Sequence, residues 1–174
     1  SKKINLMFYF GGGGDFRNYN KFIIHFCSQI KNYKFENKVS VNVVIGPLAI
    51  NYEKLRLLAR KNKFVNLLQN NLDLSSALKK TSIYFGTASS IVNELNYLNV
   101  PSCLFSTSSN QEHDFKYRED FGHFLFFKKR ELSNTKQVVK LLIILIKEYK
   151  RFKKLCNKRK VFIDINGTQR IIKA

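Results

Sequence analysis

Six short apolar runs, each closed by a polar or glycine-containing turn, alternate along this chain with stretches of helical periodicity. The runs are Ile4 to Phe10, Val39 to Ile45, Phe64 to Leu68, Ser82 to Phe85, Pro101 to Phe105 and Gly122 to Phe127. They are rich in β-branched and aromatic residues, and several, such as VNVVI, carry almost no polar alternation. That pattern suits strands buried on both faces. Between them, Asn18 to Ile30 carries Phe22, Ile23, Phe26 and Cys27 at helical spacing. Tyr52 to Arg60, Asp73 to Lys79 (capped by Asp73 or Asn71), Ile91 to Leu98 and Thr135 to Tyr149 read as further helices, and the polar stretch Ser106 to Gln111 leads into another. Strands separated by helices mean βαβ units. The expected fold is α/β, a Rossmann-like three-layer domain on a mostly parallel six-stranded sheet. It takes residues 1–174 as one domain, with 150–174 a basic helical segment at its end.

With 174 residues, 31 Lys+Arg and 12 Asp+Glu, the net charge is +19, which invites a nucleic-acid reading. Against it, only eight of the basic residues are arginine, the type suited to bidentate phosphate contacts, and no recognition motif is present. The cations crowd Lys128 to Arg130 and Lys147 to Lys160. A solvated or lipid-facing basic face fits that clustering, and no specific nucleic-acid partner is expected. Three widely spaced cysteines, Cys27, Cys103 and Cys156, form no CxxC and no even set. They point to a reducing, cytoplasmic compartment, with neither a disulfide framework nor a metal site. The longest apolar run, Leu141 to Ile146, is far short of the roughly 18 residues of a membrane span.

Three loops at expected carboxyl ends of strands carry the candidate chemistry. The first, Gly12, Gly13, Gly14, Asp15 and Arg17, joins the first strand to its helix. Glycines allow close backbone approach to an anion, and the helix start offers free N–H groups. The spacing matches neither GxGxxG nor a P-loop, so a plain flexible turn is the other reading. The second, Gly86 to Ser90, leads to Glu94 one turn into the next helix. A carboxylate there can accept from both hydroxyls of a ribose, whereas an ordinary surface glutamate would look the same. The third, Ser108 to Gln111, offers amides and hydroxyls, or simply a helix cap.

In their order, these loops resemble the C-terminal domain of GT-B proteins that bind a UDP-sugar. The likeness is to the UDP-sugar hydrolases of pseudaminic acid biosynthesis, to spore-coat polysaccharide proteins and to MurG-type glycosyltransferases. It rests on Gly11–Asn18 (GGGGDFRN), Val44-Ile45-Gly46, Ala88 to Glu94 (ASSIVNE), Val100-Pro101 and Asn110-Gln111. Phe162 to Ile171 (FIDINGTQRI) resembles the closing segment D-G-x-G-x-x-R-I, with Ile165 in place of a glycine, and Ala88-Ser89 stands where many relatives have Gly-Gly. The resemblance implies that Glu94 binds the ribose. It also implies that Gly12 to Asp15, Ala88, Ser89 and Ser90 face the diphosphate, with Arg17 the nearby cation. Ile45 and Gly46, with the loop at Asn70 and Asn71, would frame the uracil, and Asn110 and Gln111 would lie near the sugar.

No cofactor is implied beyond the UDP-sugar itself. The hydrolase's catalytic histidine belongs to a Gly-His motif of an N-terminal domain, and no such motif occurs in this chain. His25 and His123 read as structural, and His113 as a candidate ligand contact. No residue is therefore assigned as catalytic. The expected function is to hold the UDP-sugar for a hydrolase in nonulosonic acid or surface polysaccharide biosynthesis. A nucleotide-sugar glycosyltransferase is the alternative, with an anionic membrane as candidate partner. The missing N-terminal domain would supply the base, and this chain alone is expected to be inactive.

Overall fold

The computed structural model describes residues 3–69, 73–106, 124–127, 134–157, 163 and 166. In chain order the elements are β1 (Ile4–Tyr9), β2 (Gly13–Asp15), α1 (Arg17–Asn32), β3 (Val39–Val44), β4 (Leu48–Ile50), α2 (Glu53–Lys61) and β5 (Val65–Leu68). They continue with α3 (Leu74–Lys79), β6 (Ile83–Thr87), α4 (Ile91–Tyr97), β7 (Ser102–Phe105), β8 (Phe124–Phe127), α5 (Thr135–Lys147) and α6 (Tyr149–Cys156). Six strands make one sheet in the order β5-β3-β1-β6-β7-β8, and every pairing is parallel. Counting these six strands alone, the order is 3-2-1-4-5-6, the doubly wound arrangement, and it reverses between β1 and β6.

Burial explains the continuous apolar runs. Along β1, Leu6 and Phe8 enter one core with Phe22, Ile23 and Phe26 of α1 and Leu142 of α5. Met7, between them, enters a second core with Leu78 of α3 and Val92 and Leu95 of α4. Successive side chains of a strand point to opposite faces, so a sheet sandwiched between two helical layers needs apolar residues at both parities. Phe8 is the hub of the first core: its ring lies 5.3 Å from Phe26, 5.5 Å from Phe85 and 6.0 Å from Phe22. α3 starts at Asp73, whose carboxylate accepts from the Ser76 N–H at 3.1 Å. The alternative cap, Asn71, lies outside the described residues.

Two features differ from the sequence expectation. Beyond the stop of the second strand at Gly46-Pro47, an additional strand, β4, pairs in parallel with β2 as a separate two-stranded ladder. The helix expected over Thr135 to Tyr149 ends at Lys147, and α6 starts afresh at Tyr149 after a break at Glu148. α6 is the described part of the expected basic segment. The three cysteines are buried thiols outside any disulfide, and desolvation pushes the Cys27 thiol up to about 12. Among the described residues, no helix is long and apolar enough to cross a membrane.

Candidate functional site

In an open parallel sheet, ligands settle beyond the carboxyl ends of the strands where the order reverses. Here that point is flanked by the glycine turn after β1 and by the Ala88-Ser89-Ser90 turn between β6 and α4. The β2–β4 ladder draws a third segment to the same edge by pairing Gly13 with Leu48 and Asp15 with Ile50. Leu48 N–H donates to the Gly12 carbonyl at 3.3 Å. A Cβ on Gly46 would lie 2.2 Å from that same Gly12 oxygen, so only glycine lets the two turns touch. Gly12, Gly13, Gly14, Asp15, Ile45 and Gly46 are thus brought together. Ile45 is buried, and its N–H is already given to the Leu68 carbonyl at 2.9 Å. That backbone donor is therefore already used within the fold.

Arg17, the cation expected beside the diphosphate, is the first residue of α1, directly after this turn. Its guanidinium is folded onto the Asp15 carboxylate as an ion pair. Asp15 Oδ1 accepts the Arg17 backbone N–H at 2.9 Å and the Asn51 Nδ2 at 3.1 Å. The first free amide of α1 is therefore held by the chain's own carboxylate. These bonds, those from Arg17 first, lower the Asp15 pKa from 3.8 to about 2. With the folded value below the unfolded one, the Asp15 contribution to stability is full above about pH 4 and disappears as pH falls from 3.8 towards 2. A carboxyl-carbon NMR titration should place its midpoint near 2, and a midpoint near 3.8 would mean the pair does not form in solution.

Across the reversal, Gly86 and Thr87 belong to β6 itself rather than to the turn. Tyr84, two residues earlier, is fully buried, and its hydroxyl donates to the Thr87 carbonyl at 3.3 Å. The Thr87 hydroxyl is buried, with the residue 3% exposed, and it has no hydrogen-bond partner among the described residues. A buried hydroxyl left unpaired at this position is costly unless something joins it there. Ala88 is buried and its N–H is tied to the Phe105 carbonyl at 3.0 Å. Ser89 is half-buried, and Ser90 is exposed and starts α4 without using its hydroxyl as a cap. Glu94 is exposed in the first turn of α4, on the β6 side of the reversal.

From sequence, Thr87 reads as part of the turn after Phe85 with no role, whereas it is the buried last residue of β6. Gln69 was missed too: it directly follows β5, beside the Ile45–Leu68 bond, and its Nε2 is buried without a partner. Asn110, Gln111, Asn70, Asn71, His113 and His123 lie outside the described residues. Of the closing segment, Ile163 is described, and its N–H donates to Asn96 Oδ1 on α4 at 3.0 Å. His25 sits half-buried in α1. No group of three or more His, Cys, Asp or Glu among the described residues can hold a metal.

No family model matches the chain, and no curated protein is similar to it. Solved structures are. MurG of Acinetobacter baumannii superposes with a TM-score of 0.77 at 16% identity, over 99% of this chain and 49% of that protein. The fold is one Rossmann-like half of a GT-B protein. The UDP-GlcNAc 2-epimerase of Neisseria meningitidis, solved with UDP-GlcNAc bound, is similar at a TM-score of 0.63 and 16% identity, over 98% of this chain and 43% of that one. The C-terminal CMP-Kdo binding domain of WaaA from Acinetobacter baumannii is similar at a TM-score of 0.59 and 12% identity, over 90% of this chain and 86% of that domain. The chain thus spans about half the length of the MurG and epimerase structures that it matches.

Proposed function

We propose that this chain is the nucleotide-holding, C-terminal half of a two-domain enzyme acting on a UDP-sugar. The observation that carries the reading is the position of the strand-order reversal, between the glycine turn and the turn leading to Glu94. The diphosphate lies across that crevice. Gly12 to Gly14 approach it by their backbone, and Thr87, Ser89 and Ser90 supply hydroxyl donors. Arg17 joins them when a phosphate displaces it from Asp15. Glu94 accepts from the ribose hydroxyls, each such bond to a charged group contributing about 1.5–3 kcal/mol. The base that activates the attacking oxygen comes from the other domain.

For the reaction, the resemblance to the pseudaminic-type hydrolases favours attack by water. Similarity to MurG over 99% of the chain favours a second reading, transfer to an acceptor. The test is turnover of UDP-sugars by the full-length protein. UDP released with free sugar marks the hydrolase, and UDP released only when an acceptor is present marks the transferase. An altered sugar that stays on UDP would contradict both. The isolated chain is expected to bind UDP without turning the sugar nucleotide over.

A further inference from the structure

The opposite end of the sheet carries a feature that nucleotide binding does not use. At the strand starts, roughly 20 Å along β1 from the glycine turn, a hollow of about 990 Å³ opens beside the α5–α6 elbow. Among the described residues, seven cations and one carboxylate line it. Lys3 and Lys38 precede β1 and β3, and Lys79 and Lys80 end α3. Lys147, Lys150 and Arg151 stand at the elbow. All seven are exposed, and the carboxylate, Glu148, is held by Arg151 at 3.8 Å.

We propose that this edge docks on an anionic phospholipid surface. Charge complementarity requires a polyanion, and the apolar side chains beside the cations select lipid over RNA. Ile144 is 46% exposed, one turn before Lys147 on the same face of α5, and Leu155 is 61% exposed, one turn after Arg151 on α6. Cations interleaved with exposed aliphatic side chains are the composition of a helix lying in a membrane interface. RNA recognition relies instead on arginine forks and open aromatic faces. Six of the seven cations are lysines, and the exposed Tyr33 ring is capped by Lys147 Nζ at 4.1 Å. Docking through the strand starts leaves the carboxyl-end crevice clear of the membrane.

The test is sedimentation of the full-length protein with vesicles of phosphatidylglycerol in phosphatidylcholine, against pure phosphatidylcholine. Binding to the anionic vesicles alone at about 0.1 M salt, weakened at about 0.5 M, is expected. Lys147→Gln, Lys150→Gln and Arg151→Gln together should lower partition roughly a hundredfold, about fivefold for each cation removed. Leu155→Ser should weaken what binding survives high salt. All four positions are exposed, so thermal melts should stay unchanged, and Lys54→Gln with Lys61→Gln on α2 serves as the charge control. Equal binding to neutral vesicles, or a triple variant that partitions no worse than the α2 control, would overturn the proposal. So would release by millimolar inorganic phosphate, which would indicate a discrete phosphate site, or release by stoichiometric single-stranded RNA.

Discussion

Gly86→Ala is expected to destabilise the domain by about 3 kcal/mol or more, beyond the usual range for adding one methyl group to a packed core. A Cβ at this position would lie 2.0 Å from the Tyr9 carbonyl oxygen and 2.6 Å from the Tyr84 hydroxyl. The first of these is backbone of the neighbouring strand, paired opposite in register, and cannot swing aside. Relief requires β1 and β6 to separate at the very point where the sheet order reverses, so the crevice should widen as the fold weakens. For a domain of this size the melting temperature should fall by roughly 6–12 °C. Gly12→Ala is the matched control: its Cβ would meet nothing within 4 Å, and a change within about 0.5 kcal/mol is expected. A thermal melt of the two variants decides the matter. If Gly86→Ala were as stable as Gly12→Ala, the close approach of β1 and β6 would be wrong.

Glu94→Ala should leave the melting temperature alone and weaken UDP binding roughly a hundredfold. The side chain is exposed and makes no hydrogen bond among the described residues, so the fold loses little. A carboxylate that accepts from both ribose hydroxyls loses two charge-assisted bonds on truncation. A net loss of about 3 kcal/mol in binding is the low end of what two such bonds contribute. Titration calorimetry with UDP and with 2′-deoxy-UDP separates this role from a general charge effect. The wild type should bind the deoxy ligand more weakly than UDP, whereas Glu94→Ala should bind the two alike, since the coupling between residue and hydroxyl is gone. If the alanine variant still discriminated the two ligands, the ribose contact would lie elsewhere.

Sequence alone exposed the layered α/β architecture because the central strands β1, β6 and β7 are covered on both faces. Leu6 and Phe8 answer to one helical layer and Met7 to the other, so the strand shows as an unbroken apolar run. The order of strands was not legible, since neither Tyr9 nor Gly86 carries any mark of being opposite the other. β2 and β4 escaped notice for a different reason. They are three residues each, GGD and LAI, held by backbone bonds that no side-chain pattern reports. The break at Glu148 is hidden because Leu145, Ile146, Tyr149 and Phe152 keep helical spacing across it. At the site, the grouping of the glycine turn with Gly46 and with the start of α4 follows from where strands end, and strand ends are visible in the sequence. The charge state of that grouping is not. Asp15 and Arg17 are two residues apart, a spacing that brings side chains together in a helix-entry turn but not within a helix. Whether a carboxylate faces its neighbouring guanidinium or a ligand depends on turn geometry.

The most direct test of the account is a residue-resolved titration of this chain with UDP by amide NMR. The expected result is saturable shifts at Gly12 to Asp15, Thr87 to Ser90 and Glu94. The strand starts at Ile4, Val39 and Ile83, at the far end of the sheet, should stay still. Shifts confined to those strand starts, or no saturable shift at all, would contradict a nucleotide site at the reversal between β1 and β6.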